Sequence, residues 1–313
     1  GSSMGAHQGE GPLNEYINSI AAFSQNAVSV SAGNEGTARH HYMKTLTAVN
    51  MRDTIELRVG EKESIRGFML EFWGDSPNFY SMTIQSPAGE QLSVSTSLKN
   101  SIQELSFVFV ETKVLVNYVP IERRTGNTLI FIRFLHPSAG IWKFLVEGRI
   151  PGESRFHIWL PVRGMISDDT YFLEPSPEYT ITSPGDAADA MTVTAYQYRD
   201  NSLYVQASRG YNTENVVKPD FAAPGVDILT ASIGAGAEFA PATGTSLAAA
   251  QTAGMAALLF EWSLIRENEP YFTGNSIKNY LSRGAVRDLN LSYPNQEWGY
   301  GRLDLYHTFE LLT

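Results

Sequence analysis

The 313-residue chain has no cysteine, which excludes disulfides and thiolate metal sites and fits either a reducing cytosol or a bacterial secreted protein built without bridges. It has no unbroken run of about 18 apolar residues, so no bilayer-spanning segment and no membrane partner are expected. Clustered Lys and Arg are also missing. A formal charge of −10 and a pI near 5.1 argue against a nucleic-acid or anionic-membrane surface. Only six histidines are present, which restricts the choice of a general base. No signal peptide is visible, and Gly1-Ser2-Ser3-Met4-Gly5 reads as an interior loop or, in part, as a cloning remnant.

What is present is an ordinary globular composition. With 43% hydrophobic and 12% aromatic residues, the chain can fill one large core or two smaller ones. Pro12 to Phe23 places Leu13, Tyr16, Ile17, Ile20 and Ala21 at helical spacing, with proline near the first turn. Residues 26–32 then read as a short strand, and Gly33-Asn34-Glu35-Gly36 as the turn ending it. A helix, a buried strand and a Gly-rich turn make an α/β unit.

From Thr54 the texture changes to nine short alternating segments: 54–59, 67–73, 79–85, 91–95, 105–110, 113–119, 128–135, 141–147 and 155–162. Gly- and Pro-containing turns separate them. That pattern predicts an all-β sandwich inserted into the α/β part. Trp73, Trp142 and Trp159 in this stretch either fill its core or line a ligand groove.

The stretch that organises the remainder is Gly244-Thr245-Ser246-Leu247-Ala248-Ala249-Ala250-Gln251-Thr252-Ala253-Gly254. A Gly-Thr pair followed by helix formers predicts a tight turn feeding a helix, with Ser246 at its N-terminus. A serine there is either a cap or a nucleophile whose developing oxyanion is met by the free first-turn N–H groups.

This stretch resembles the nucleophile motif of the subtilisin-like serine proteases, with Ala250 in place of the usual proline and Gln251 where histidine is common. Three further segments are similar to that family: Val30-Ser31-Ala32-Gly33-Asn34-Glu35-Gly36, Lys218-Pro219-Asp220-Phe221-Ala222-Ala223-Pro224-Gly225, and Trp298-Gly299-Tyr300-Gly301-Arg302-Leu303-Asp304. A jelly-roll-like insert between Asn34 and Ser246 resembles the clostridial Csp germination proteases.

The resemblance implies a partial subtilisin-like α/β fold, a parallel sheet with flanking helices, in three segments: 1–50 and 166–313 for the catalytic domain and 51–165 for the inserted sandwich. It implies Ser246 as nucleophile, Asn34 as oxyanion donor, and Ala32 and Gly33 beside a substrate side chain. It also implies a polypeptide substrate, no cofactor, and a bacterial secreted or spore-associated setting. The Lys218–Val226 segment is read as shaping a connection, without a catalytic role. Asp186 and Asp189 are read as solvated loop residues or, alternatively, calcium ligands.

The family order is Asp, His, Ser, and nothing before Asn34 fits the first two. His7-Gln8-Gly9 lacks the expected Thr and the small-residue helix, and His40-His41 reads as a loop or interface pair. The chain is therefore expected to be the Ser-bearing part of an endopeptidase and nearly inactive alone, with a pseudoprotease or regulatory binding protein as the rival reading. A half sheet leaves an open edge, so self-association or a noncovalent partner, such as the missing N-terminal catalytic fragment, is expected.

Overall fold

A computed structural model describes residues 1–23, 25–97, 101–233, 236 and 238–312. The chain divides into two compact units. One comprises residue 1, 7–37 and 178–313, and the other 2–6 and 38–177.

The first unit is α/β. Its centre is a three-stranded parallel sheet in which Met191–Tyr196 lies between Ser29–Ser31 and Phe221–Pro224. The central strand is buried along its whole length, as parallel strands covered on both faces require. The helix Thr245–Phe260 packs on all three strands, burying Ala248, Ala249, Ala256 and Leu259 in a core shared with Val193, Ala195, Phe221 and Phe272. Small residues on that face let the helix approach closely. Gln251 Nε2 donates to Pro224 O at 2.9 Å and Ser29 Oγ to Ala249 O at 2.8 Å, so polar ties fix the helix along both edge strands.

Thr245–Ile265 is long and apolar enough on average to cross a bilayer, although Ser246, Gln251 and Thr252 prevent a strictly apolar run. In the structure one of its faces packs on the sheet.

The helix expected at Pro12–Phe23 runs Pro12–Ala22, but it is rotated about its axis. Asn14, Ile17 and Ala21 are buried, while Leu13 and Tyr16 are more than half exposed. Polar contacts explain the turn: Asn14 Nδ2 donates to Asp186 Oδ1 at 2.7 Å, Ser183 Oγ to Asn14 Oδ1, and Asp189 N to Asn18 Oδ1. Asp186 is thus not a solvated loop residue. It is buried and also accepts from Gly9 N. Among the described residues no group of His, Asp and Glu is arranged to hold a metal ion.

A later helix, Gly274–Gly284, starts with a capping box in which Thr273 and Ser276 exchange hydrogen bonds. The closing segment runs beside the last parallel strand, through Ala222 N to Gly301 O and Leu303 N to Ala222 O.

The second unit is an antiparallel sandwich. One sheet holds five strands and includes Arg52–Val59, Gly140–Gly148 and Tyr80–Gln85. The other holds six and includes His41–Leu46, Ser154–Trp159, Phe68–Gly74, Thr128–Leu135 and Lys113–Val119. Alternate residues of both sheets form one core, with Phe134 packed edge-on against Trp142 at 5.0 Å and Phe72 against Tyr80 at 5.2 Å. Eight of the nine expected strand segments are present, while the one expected at 105–110 lies earlier, as Ile102–Ser106, with 107–110 outside it. His41–Leu46, whose His40-His41 start was read as a loop or interface pair, is a further strand that pairs with Ser154–Trp159. The three tryptophans are buried: Trp142 lies in the core, Trp159 stacks on His41 and His157, and Trp73 Nε1 donates to Glu71.

Candidate active site

Asn34 and Ser246 come from segments more than 200 residues apart, and the fold joins them through Thr245. Asn34 follows the C-terminal end of the edge strand Ser29–Ser31. Its Oδ1 accepts from Thr245 N at 3.1 Å and lies 3.2 Å from Thr245 Oγ1. Thr245 is buried, and its hydroxyl also meets Gly33 N and O at 3.2 Å each.

The serine turn is placed by two glycines. Gly244 N donates to Gly225 O at 2.8 Å, and Gly225 N to Tyr196 O at 3.0 Å, which hangs the turn from the C-terminal end of the central strand. A Cβ on Gly225 would come within 2.6 Å of Ala195 Cβ and 2.9 Å of Gly244 O, so only glycine permits this approach. The C-terminal ends of parallel strands are where α/β sheets ordinarily build ligand sites.

Ser246 itself is exposed. Its backbone N–H has no acceptor among the described residues, as expected for a first-turn donor. Asn34 Nδ2 likewise has no hydrogen-bond partner among the described residues, the carboxamide being held by its oxygen. A point one Cβ length from Gly244 Cα lies 3.6 Å from Asn34 Nδ2, 3.9 Å from Asn34 Oδ1, which is held by Thr245, and 4.0 Å from Ser246 N. Two unspent N–H donors therefore flank the same small volume beside an exposed hydroxyl. That arrangement can hold a negative oxygen forming on an acyl carbon attacked by the serine.

Ala32 and Gly33 are buried, and their backbone groups are spent on Val193, Thr182, Ser208 and Thr245. Gly33 has φ +106°, and a Cβ there would lie 2.7 Å from both Thr182 Oγ1 and Ser208 Oγ. The space that glycine leaves is taken by those two hydroxyls.

Among the described residues no histidine is hydrogen-bonded to Ser246. His7 Nδ1 contacts Ile181 O, His307 pairs with Glu310, His136 contacts Ser64 O, and His41 Nε2 lies 3.0 Å from His157 Nδ1. Pairing in this way, His41 and His157 share one proton between the facing nitrogens.

Residues 169–301 match the model of the subtilase family, Peptidase S8. The structure of the Clostridium perfringens CspB protease superposes with a TM-score of 0.88 at 31% identity, over 99% of this chain and 64% of that one. The chain belongs to the subtilase family. Weaker overlaps, at TM-scores of 0.36 and 0.37, occur with the patellamide maturation protease PatA (25% identity, 43% of this chain and 47% of that one) and the prenylagaramide maturation protease PagA (24%, 44% and 47%). No curated protein sequence matches the chain. This subtilase chain spans less than two thirds of the length of the CspB protease.

One feature of the subtilase chain was not legible in the sequence. Lys218 and Asp220, read as flanking a shaped connection, are both buried and joined at 2.9 Å. Asp220 Oδ2 also accepts from Thr192 N, and its Oδ1 from Lys278 Nζ at 2.8 Å. Lys218 Nζ further donates to Ala190 O and Thr192 Oγ1. Burial lowers the Lys218 ammonium, Asp220 raises it and Lys278 lowers it further, for a net value of about 8. The available signal was two charged residues directly preceding the apolar run Phe221-Ala222-Ala223, a place where a charge is retained only if it is paired.

Proposed function

We propose that this chain is the nucleophile-bearing part of a subtilisin-like serine endopeptidase that cleaves polypeptides through an acyl-enzyme. Ser246 Oγ attacks the peptide carbonyl. Asn34 Nδ2 and the Ser246 N–H take the oxyanion. The tetrahedral intermediate collapses with loss of the amine, and water then releases the acyl group. Ala32 and Gly33, packed against the buried Thr182 and Ser208 hydroxyls, position the Asn34 turn beside the substrate. The observation that supports this reading most is the pair of unspent donors beside the exposed serine, within a chain of subtilase descent.

In this reading the base and its carboxylate come from a segment outside these 313 residues, and the chain alone retains only about a thousandfold over water. A fluorophosphonate probe followed by intact-mass measurement tests this. The wild-type chain should label no faster than Ser246→Ala, and prompt labelling at Ser246 would show that the chain supplies its own base. The rival reading, a pseudoprotease, is supported by the lack, among the described residues, of any histidine bonded to Ser246. It is favoured if the complete protein also fails to label.

The same reading places a noncovalent partner or a second copy against the first unit. Ser29–Ser31 is an edge strand, and Ala253, Ala257 and Leu258 of the serine helix are exposed although the helix is apolar all round. Light scattering should give a mass above 34.6 kDa; a clean monomer counts against it.

A further inference from the structure

A cavity of about 410 Å³ opens in the first unit beside the buried Lys218–Asp220–Lys278 cluster, lined by Asp220, Lys278, Asn279, Ser282, Arg283 and Arg287, among others. We propose that it binds a small multivalent oxyanion, one that presents phosphate or carboxylate groups to Arg283 and Arg287.

Charge counting carries the argument. Asp220 is the one acidic residue in the lining, and both of its oxygens are already spent: Oδ2 on Lys218 and Thr192 N, Oδ1 on Lys278. Two ammonium groups thus share one carboxylate, which leaves a positive charge in excess at the cavity floor. Lys218 and Asp220 are buried behind the lining, and Lys278, partly exposed, carries the excess charge to the cavity.

Arg283 and Arg287 add two more charges at the rim, and neither has a carboxylate partner among the described residues. Arg287 donates instead to Ser282 O at 2.6 Å. In a chain of formal charge −10, three cations and one neutralised carboxylate in a single lining run against the overall balance.

The division of labour follows from the donors. Lys278 Nζ is committed to Asp220 Oδ1, Ala188 O and Ala190 O, so it contributes charge without a free hydrogen bond. The guanidinium forks are the groups left to grip an anion bidentately, a geometry that suits phosphate and carboxylate alike. Arg283 also sits in the last turn of Gly274–Gly284, where a cation complements the helix dipole. That role does not extend to Arg287, which lies past the helix end.

The test uses the full chain with inorganic phosphate and, separately, succinate, each compared with sodium chloride at matched ionic strength. A saturable rise in Tm of about 2–4 °C is expected with at least one probe. Arg283→Gln/Arg287→Gln should weaken binding by at least about tenfold, because each lost fork removes charge-assisted bonds. Both arginines are exposed, so the variant should fold, and Arg283→Gln alone supplies the same reading at smaller amplitude. A response to phosphate alone assigns a phosphoester ligand, and a response to both probes assigns a carboxylate-tolerant site. The proposal is overturned if neither probe gives a saturable rise, or if the rise is unchanged in the double variant.

Discussion

Asn34 grips Thr245 and leaves Ser246 alone: its Oδ1 is 3.1 Å from Thr245 N, while its Nδ2 has no hydrogen-bond partner among the described residues. The carboxamide is held by its acceptor end so that its donor end stays available. In the proposed reaction, the residue that anchors the serine turn would also donate to the forming oxyanion.

This separation of roles makes the two ends of Asn34 testable apart. Asn34→Asp keeps the acceptor for Thr245 but donates nothing, whereas Asn34→Ala loses both. Acylation of the chain supplied with its histidine-bearing segment should fall by about 10²–10³-fold in both variants. Only Asn34→Ala should also lower the melting temperature of the isolated chain. Equal activity in Asn34→Asp and wild type would remove Asn34 from the oxyanion site.

Gly33→Ala should destabilise the same turn. The residue has φ +106°, and the new methyl would lie 2.7 Å from two hydroxyl oxygens, so strain and overpacking together should cost roughly 1–3 kcal/mol in urea unfolding. A change within a few tenths would mean that the turn relaxes freely.

The buried charge cluster predicts an order of severity. Asp220→Asn leaves Lys218 and Lys278 without a counter-charge and should cost about 3–5 kcal/mol. Lys218→Met leaves the Asp220–Lys278 pair intact at 2.8 Å and should cost less. Chemical denaturation of the two variants checks the order, and the reverse ranking would show that Lys278 does not reach Asp220 in solution.

Lys218 also predicts a direction with pH. Its ammonium titrates at about 8 in the fold, against an ordinary value of 10.5. Between those values the unfolded chain holds the extra proton, so this group makes stability rise with pH, by at most about 1.4 kcal/mol per unit. Below about 8 both states are charged and the contribution is flat. Tyr80, pushed up to about 12 by burial, acts oppositely, but only above its ordinary value of 10. Comparing wild type with Lys218→Met from pH 8 to 10 isolates the lysine. The wild type should gain relative to the variant, and parallel profiles would refute the assignment.

The strands of the sandwich were legible because alternation with Gly and Pro punctuation is a local signal. His41–Leu46 was missed because His40-His41 breaks that apolar alternation, and the histidine is tolerated in the strand by pairing with His157 and stacking on Trp159. The serine helix and the Asn34 turn were likewise readable, from helix formers after Gly-Thr and from Asn beside Gly.

Three things lay beyond the sequence. The Pro12–Ala22 helix buries Asn14 in preference to Leu13 and Tyr16, because Asp186, distant in the chain, supplies its partner. Lys218 looked like part of a loop until Asp220, Lys278 and the carbonyl of Ala190 closed around it. The aim of Asn34 depends on Thr245, 211 residues away. Propensity and periodicity act over a few residues and are written in the chain, so the sequence by itself determined the elements and the residue types of the site. Which polar groups face one another is set by long-range packing, where a buried donor must find its acceptor, and only the tertiary structure decided that.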